Sequence, residues 1–503
     1  MAGGKNNERQ SVAQGKGKEM RSAGGYRDRG LIKTIDWSLV ICWLVLVLIG
    51  WANIYASVHS SEPASIFDFA SRSGKQFVWM ITAFVIAISI LFIIPPRFYE
   101  GFSIPIYVMV IGLLVAVIFL GIEVKGSRSW FAFGPVRFQP AEISKIATSL
   151  LLATYMSQLG YRIGRMKDFI ITAMLILLPM MIIILQSETG SALVYVGFIF
   201  MLYREGLSGW LIFMVGMAIL TFIMTLTISP YAAILTLAGI ASLCICLYSG
   251  RLKWWLIICV PAIILMAFVP EGISYIAEHK EGFSLNPLYV LLGVIGASIP
   301  FVAYQAFRER NTFTHLAIIS LVAGIVLTFS TDLIFNDVLQ DHQRKRIEVL
   351  LGMKEDPSGV GYNVNQSKIA IGSGGMFGKG YLNGTQTTFG FVPEQSTDFI
   401  FCTIGEEWGF VGTTFIILLY VFLIWKIIKN AERSREGFTR IYGYCVACCI
   451  FMHLFINIGM TIGLMPVIGI PLPFISYGGS SLWAFTAMLF IFIALDRNEK
   501  KYF

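Results

Sequence analysis

Long apolar runs that carry almost no charge recur along this chain from Trp37 to Asp496. A helix that crosses a membrane needs about 20 mostly apolar residues, and the runs lack the two-residue alternation of barrel strands. Charged residues make up 14% of the chain and hydrophobic residues 56%, whereas soluble domains average about 25% and about 45–50%. We therefore predict an all-α polytopic membrane protein and exclude a water-soluble enzyme.

The apolar runs predict about 14 transmembrane helices, of the length that a bilayer requires. Their approximate bounds are residues 37–57, 77–95, 103–122, 141–157, 168–186, 190–203, 209–227, 231–248, 254–269, 288–307, 316–335, 408–428, 441–464 and 480–495. An even number of spans places both termini on the same side of the membrane.

Lys and Arg concentrate in cytoplasmic loops, so their distribution predicts the orientation of the chain. The segment before Trp37 is rich in both residues, as are the loops at 162–167 and 429–440. We therefore expect both termini in the cytoplasm and a large extracytoplasmic loop at residues 336–407. The net charge of +8 is distributed over these short clusters, so we do not expect a nucleic-acid partner.

Polar side chains near membrane depth are costly and therefore mark candidate sites. The first group lies at residues 126–145, where Pro140 fits the first turn of a helix. Glu142 and Lys145 are three residues apart, so they lie on one helix face where they can neutralise each other. A functional pair and a structural ion pair that anchors the helix end are both open at this point.

The second group lies in the predicted outer loop, at residues 341–346, 361–380 and 392–409. A Gly-rich loop with lysines can hold phosphate through its backbone N–H groups. It is not a nucleotide P-loop, because Gly380 follows Lys379 where Ser or Thr should bind magnesium. Beside a membrane, a phosphate or lipid headgroup is the partner that these basic residues favour.

The third group, residues 457–481, contains repeated Pro and Gly within an apolar region. Non-helical backbone at membrane depth is tolerated only where it is buried or lines a cavity. We predict that this segment forms a wall of a polar cavity, the alternative being a re-entrant turn without function.

The eight cysteines lie mainly inside the predicted spans, where we expect reduced, packed thiols. Cys445, Cys448, Cys449 and His453 could be drawn as a metal cluster, but the polar groups that usually support metal ligands are missing nearby. We do not expect a metal there.

The three groups together resemble the SEDS family of cell-wall polymerases. The resemblance is carried by Arg-Phe-Gln-Pro-Ala-Glu-Ile-Ser-Lys at 137–145, Pro-Glu-x-x-Thr-Asp-Phe-Ile-Phe at 393–401 and Pro-Leu-Pro-Phe-Ile-Ser-Tyr-Gly-Gly-Ser-Ser at 471–481. Gly-Thr-Gln at 384–386 and Gln-Ser-Lys-Ile-Ala at 366–370 resemble the elongation (RodA) branch more than the division (FtsW) branch.

The chain departs from the family pattern in three places. The family usually has ten spans, which implies four inserted ones here. Ser129 precedes Trp130 where the family commonly has Arg, and Glu188 stands where it usually has Asp. The predicted segments are a disordered cytoplasmic tail (1–34), core spans 1–6 (35–208), inserted spans (209–310), a core span (311–335), the extracytoplasmic catalytic loop (336–407) and the C-terminal core spans (408–503).

The resemblance implies a peptidoglycan glycosyltransferase that polymerises lipid II into glycan strands during cell elongation and rod-shape maintenance, in the cytoplasmic (inner) membrane. Asp398 matches the family's carboxylate, so we expect it to act as general base. The other candidates would bind substrate, either the pyrophosphate or the sugar; they are Arg128, Trp130, Arg137, Gln139, Glu142, Lys145, Arg344, Arg346, Lys368, Lys379, Glu394, Thr397, Ser476 and Ser480.

The resemblance also implies further components. A divalent cation, Mg²⁺ or Mn²⁺, could bridge the pyrophosphate, although the sequence does not specify its ligands. The expected partners are lipid II, the growing glycan strand, a class B penicillin-binding protein (a PBP2-like transpeptidase) and the elongation machinery.

Three other functions fit a multi-span body. A lipid II transporter (flippase) also uses broken helices around a polar cavity, but its essential carboxylate would be reachable from both sides of the membrane. A division-type (FtsW-like) polymerase would share the chemistry. A scaffold that only recruits cell-wall enzymes would not need so many ionisable residues near the membrane.

Overall fold

The computed structural model describes residues 34–59, 65–124, 126–134, 136–250, 252–279, 285–308, 310, 312–339, 341–354 and 359–502. The predicted tail at 1–34 therefore lies almost entirely outside the described residues. The chain divides into two compact units, Met1–Leu207 with Pro357–Phe503, and Ser208–Asp356. We call the first the discontinuous unit, and the second, which lies between its two segments in the sequence, the inner unit.

The discontinuous unit consists of helices and one small sheet. Its first part contains α1 (Trp37–Val58), α2 (Arg72–Ile88) with a π-helical extension (Ser89–Ile93), α3 (Arg97–Gly101), α4 (Ser103–Leu120), β1 (Ile122–Val124), β2 (Ser127–Phe133), β3 (Val136–Phe138), α5 (Pro140–Met156), α6 (Met166–Leu185), α7 (Thr189–Val196) and α8 (Phe198–Arg204). The three strands are antiparallel in the order β1-β2-β3, and Trp130 lies opposite Ile122.

The inner unit is helical in all its regular elements. These are α9 (Gly209–Thr227), α10 (Pro230–Tyr248), α11 (Leu252–Trp254), a π-helical turn (Trp255–Cys259), α12 (Val260–Ala267), α13 (Val269–His279), α14 (Pro287–Arg308), α15 (Thr312–Leu333), a second π-helical turn (Ile334–Val338) and α16 (Asp341–Leu350). The discontinuous unit then resumes with α17 (Val360–Ser373), α18 (Thr385–Thr388), α19 (Ile400–Arg433), α20 (Gly437–Thr461) and α21 (Gly479–Tyr502).

Twelve helices among the described residues are long and apolar enough to cross a membrane. The helical membrane architecture is confirmed, but the exact count of fourteen is not. The predicted span 141–157 is the 17-residue α5, which carries the buried charged residues Glu142 and Lys145. The predicted span 190–203 is the shorter apolar helix Thr189–Arg204, which divides into α7 and α8 at Gly197.

Helix α20 is largely buried and packs against α5, α19 and α21. Large side chains that are fully buried, among them Tyr195, Tyr420 and Tyr442, fill the space between these helices. The buried face of α20 also carries His453 and Asn457, which are polar. Buried polar groups are costly without hydrogen-bond partners. We therefore expect both side chains to bind a neighbouring part of the chain.

The basic loops of the discontinuous unit are tied to acidic partners. Arg204 pairs with Glu432 at 2.6 Å, and Arg440 pairs with Glu205 at 2.9 Å. Burial raises the pKa of Asp36, but hydrogen bonds from Ser38 and Asn430 and the charge of Lys426 outweigh it and lower that pKa to about 2. The start of α1 is thereby fixed to the end of α19.

Candidate active site

Asp398 lies in a tight turn that immediately precedes α19. The backbone N–H groups of Thr397 and Phe399 both donate to the carbonyl of Glu394, at 3.1 and 3.2 Å. Glu394 has a positive φ of 54°, which closes the turn. Val392 and Phe399 are buried in a small apolar cluster, whereas Asp398 is only partly buried. The turn therefore buries its apolar residues and leaves the carboxylate partly accessible to solvent.

The chain between α20 and α21, residues 462–478, is largely irregular and packs against this turn. Asn457 Nδ2 donates to the carbonyl oxygens of Asp398 (2.8 Å) and Ile470 (2.7 Å). Gly469, at φ 77°, faces the carboxylate so closely that a Cβ atom there would lie 3.3 Å from Asp398 Oδ2. We call residues 462–478 the broken segment; it forms the wall beside Asp398.

Two serines and one arginine complete the support of the turn. Ser476 Oγ donates to the carbonyl of Thr397 at 2.6 Å and accepts from the N–H of Leu472 at 2.8 Å. Arg72 Nη1, from the first residue of α2, donates to Ser396 Oγ at 2.8 Å. Ser476 therefore supports the turn through its contacts with the backbone. The Thr397 hydroxyl donates to Glu394 Oε2 at 3.0 Å. Ser480 lies buried in the first turn of α21.

Glu142 and Lys145 form the predicted ion pair, with Lys145 Nζ 2.8 Å from Glu142 Oε1. Lys145 Nζ also lies 2.8 Å from His453 Nε2, and its side chain is 1% exposed. The ammonium group is 5.1 Å from the centre of the Phe485 ring. This environment encloses Lys145, so its position favours the structural interpretation of the pair over contact with a pyrophosphate.

Lys379 makes a second internal pair. Its Nζ donates to Glu406 Oε1 at 2.7 Å, and Glu406 is fully buried. Glu406 also accepts from the backbone N–H groups of Gln386 (2.8 Å) and Thr387 (2.9 Å). The lysine thus links the glycine-rich loop and α18 to the first part of α19, which is kinked at Gly409.

The glycines of that loop permit close backbone packing. The N–H groups of Lys379 and Gly380 donate to the carbonyls of Glu406 and Glu407, each at 3.0 Å. A Cβ atom on Gly378, which has φ 81°, would lie 2.1 Å from the carbonyl oxygen of Glu407. In this structure two of the loop N–H groups that we predicted for phosphate, those of Lys379 and Gly380, are therefore bound to α19.

The small sheet holds three of the remaining candidates from the first group, and Gln139 follows it directly, as the residue before α5. Trp130 is partly exposed, whereas Arg137 is exposed. Arg128 is exposed as well and lies 3.7 Å from Glu123. Gln139 Nε2 donates to Glu188 Oε1 at 2.6 Å, and Ser127 Oγ donates to Glu188 Oε2 at 2.8 Å.

Ser129 also donates to Glu188. The two positions at which the sequence departs from the family pattern therefore contact each other. Glu188 ties the strand that carries Trp130 to the break between α6 and α7.

Substitution of Glu188 by Ala is expected to destabilise this sheet. It removes the acceptor of three side-chain donors, and hydrogen bonds to charged groups contribute about 1.5–3 kcal/mol each, so we expect the free energy of unfolding to fall by about 2 kcal/mol or more. Glu188→Gln should cost less, because its amide accepts from Gln139 and donates to the hydroxyls. Thermal unfolding in detergent measures both, with Glu123→Ala, from an exposed pair, as control. Wild-type stability of Glu188→Ala would disprove the role.

Three basic candidates remain, and two of them, Arg344 and Arg346, belong to the inner unit. Arg344 lies 3.6 Å from Asp341 and 3.8 Å from Glu348 within α16. Lys368 lies in α17 and is exposed; its Nζ passes within 2.6 Å of where a Cβ on Gly463 would lie. Of the predicted cations, Lys368 is thus placed at the start of the broken segment and makes no ion pair with a described residue.

On α20, His453 supports the site although the sequence did not mark it as a substrate-binding candidate, and Asn457 is the first residue of the third candidate group (457–481). The available signal was their four-residue spacing on one face of an apolar helix. In the described part of the chain no group of three or more His, Cys, Asp or Glu side chains could hold a metal ion, and the eight cysteines form no disulfide. His453 instead contacts Lys145 and the carbonyl of Pro471.

Comparisons with known proteins identify the family. The sequence pattern of the family described as "Cell cycle protein" (FtsW, RodA, SpoVE) matches residues 36–237 and 289–501. The peptidoglycan glycosyltransferase MrdB of Escherichia coli (strain K12) is 31% identical over 408 residues, which cover 81% of each chain. The peptidoglycan glycosyltransferase RodA of Treponema pallidum (strain Nichols) is 30% identical over 478 residues, 94% of this chain and 100% of the relative.

Solved structures share the fold. The rod shape determining protein RodA of Thermus thermophilus aligns with a TM-score of 0.50 at 22% identity, over 92% of this chain and 97% of its own. A chain from a structure described as "Structural coordination of polymerization and crosslinking by a peptidoglycan synthase complex" aligns with a TM-score of 0.55 at 22% identity, over 92% and 98%. This multi-pass membrane protein therefore belongs to the FtsW/RodA/SpoVE family, the SEDS family, and within it to the RodA branch of peptidoglycan glycosyltransferases.

Proposed function

We propose that this protein polymerises lipid II into glycan strands during cell elongation, with Asp398 as the general base. The observation that carries the proposal is the placement of Asp398. Its backbone is held by Asn457, and its partly buried carboxylate faces Gly469 in the broken segment. The activity named for the E. coli and T. pallidum relatives supports the reaction class.

The reaction needs one proton acceptor and a leaving group. The acceptor sugar hydroxyl attacks the anomeric carbon of the donor, a new C–O bond forms, and the bond from that carbon to the undecaprenyl pyrophosphate breaks. The hydroxyl proton passes to Asp398, and the electron pair of the broken bond leaves with the pyrophosphate. Because the displacement is single, the anomeric carbon inverts and no covalent glycosyl-enzyme forms.

Developing charge on the pyrophosphate requires cationic groups. Lys145 and Lys379 are each bound to an internal carboxylate, so we assign the pyrophosphate first to Lys368, and then to Arg137. A Mg²⁺ bound with the pyrophosphate would need only one or two protein carboxylates, and Glu394, exposed in the turn that contains Asp398, would supply one. Such an ion would neutralise charge on the leaving group.

The orientation follows from the loop charges, which support a cytoplasmic-membrane protein with both termini inside and Asp398 outside. We also propose a class B penicillin-binding protein of the PBP2 type as partner, which would crosslink the new strand. The support is the shared fold with a chain whose structure is described as a peptidoglycan synthase complex that coordinates polymerization and crosslinking.

The test is glycan synthesis by the purified protein, alone and with its co-purified partner, from lipid II as the only substrate. We expect a ladder of glycan strands on a gel, lost in an Asp398→Asn variant of equal folded amount. Transport of lipid II across vesicles without strand formation would favour a flippase and contradict the proposal.

A further inference from the structure

Three buried side chains form a chain of contacts that the reaction above does not use. Glu142, Lys145 and His453 are all at most 2% exposed. Lys145 Nζ lies 2.8 Å from Glu142 Oε1 and 2.8 Å from His453 Nε2, while His453 Nδ1 lies 3.0 Å from the carbonyl oxygen of Pro471. The contacts thus run from α5 through α20 to the broken segment.

The partners of His453 fix the protonation of its ring. A carbonyl oxygen can only accept a hydrogen bond and an ammonium group can only donate one. Nδ1 therefore carries the proton that it gives to Pro471, and Nε2 accepts from Lys145. The imidazole is neutral and has one tautomer, and Phe485 packs against it edge to face with the ring centres 4.6 Å apart.

His453 binds the carbonyl of Pro471, and the preceding carbonyl, that of Ile470, is bound by a side chain that also contacts the turn with Asp398. Asn457, one turn further along α20, binds the carbonyls of both Ile470 and Asp398. His453 and Asn457 together therefore fix the consecutive residues Ile470 and Pro471. Gly469, the residue before them, faces the Asp398 carboxylate.

We propose that His453 is a positioning residue for the polymerisation reaction. Lys145 keeps the ring in the tautomer that donates to the carbonyl of Pro471, and this donation determines where the broken segment stands beside Asp398. This inference rests on the proposed function, and it concerns a side chain that does not touch the substrate.

Three substitutions separate the two contacts of the ring. His453→Phe keeps an aromatic ring but removes both nitrogens. His453→Asn places an amide nitrogen near the position of Nδ1, so it can still donate to Pro471, whereas His453→Gln places its oxygen near Nε2 and can still accept from Lys145. Tyr442→Phe is the matched control, because it removes one buried hydrogen bond of α20 (3.2 Å, to the carbonyl of Met488) away from Asp398.

We expect the kcat of His453→Phe for lipid II polymerisation to fall roughly 10- to 100-fold with KM nearly unchanged, since a misplacement of about 1 Å can cost about 100-fold. His453→Asn should recover most of that kcat, and His453→Gln should not. Tyr442→Phe should keep the wild-type kcat. A wild-type kcat in His453→Phe would overturn the proposal. So would an equal loss of kcat in all three His453 variants that parallels their loss of thermal stability.

A second measurement does not depend on activity. Hydrogen exchange of the purified full-length protein should be faster at residues 466–478 and 394–399 in His453→Phe than in the wild type, and unchanged there in Tyr442→Phe. Unchanged exchange in His453→Phe would disprove the link. If the wild type itself makes no glycan, the proposed function fails, but the exchange experiment still decides whether His453 holds the segment.

Discussion

Asp398→Asn is expected to lower the rate of glycan synthesis from lipid II by roughly 100- to 10,000-fold, the contribution of a general base. The amide has the size of the carboxylate but cannot take the proton of the sugar hydroxyl. The fold should persist, because the contact with Asn457 uses the backbone carbonyl of residue 398 rather than its side chain. The initial rate of strand formation by the purified variant measures the effect.

Two further variants distinguish proton transfer from loss of charge. Glu394→Gln removes the proposed Mg²⁺ ligand in the same turn, and we expect a loss of rate that is smaller than that of Asp398→Asn, because the proton acceptor stays in place. Asp398→Glu keeps a carboxylate but moves it against Gly469 by one methylene, so it should retain part of the activity. Strands from Asp398→Asn at the wild-type rate would remove Asp398 from the chemistry.

Lys145→Met is expected to reduce the free energy of unfolding by about 3–5 kcal/mol, the usual cost of leaving one partner of a buried ion pair unpaired. Glu142 would then keep a buried charge, and its second oxygen already has no hydrogen-bond partner among the residues that the structure describes. His453 would also lose the donor to its Nε2. The measurement is thermal unfolding of the purified protein in detergent.

The double variant Glu142→Gln/Lys145→Met tests the cause. It removes both charges, so we expect it to be more stable than Lys145→Met alone. Arg204→Met, which breaks a pair between exposed side chains, should have little effect. Equal stability of Lys145→Met and the wild type would show that the lysine is not part of the internal pair.

Local sequence patterns predicted the parts of this protein that depend on interactions between residues close together in the chain. Long apolar runs predicted helices, Pro140 marked the start of α5, and the three-residue spacing of Glu142 and Lys145 predicted their contact. The interruption between α20 and α21 was predicted, because proline cannot continue a helix and glycine weakens one. In each case the interacting atoms are a few residues apart.

The rest of the site depends on partners that are distant in the chain. Lys145 and His453 are separated by 308 positions, and Ser129 and Glu188 by 59. The glycine-rich loop also had two physical interpretations, because backbone that can approach a phosphate can equally approach another backbone. Its actual partner, the start of α19, is set by tertiary packing that composition does not encode.

Catalysis on the outer face requires the turn with Asp398 to face away from the cytoplasm. Single cysteines at two exposed positions test this: Phe389→Cys, near the turn, and Leu159→Cys, in a loop predicted to be cytoplasmic. The wild type supplies the background from its eight native cysteines. In intact cells, a membrane-impermeant maleimide should label Phe389→Cys and should label Leu159→Cys only after lysis. The reverse pattern would place Asp398 on the cytoplasmic side and contradict its role as the base of an outer-face polymerase.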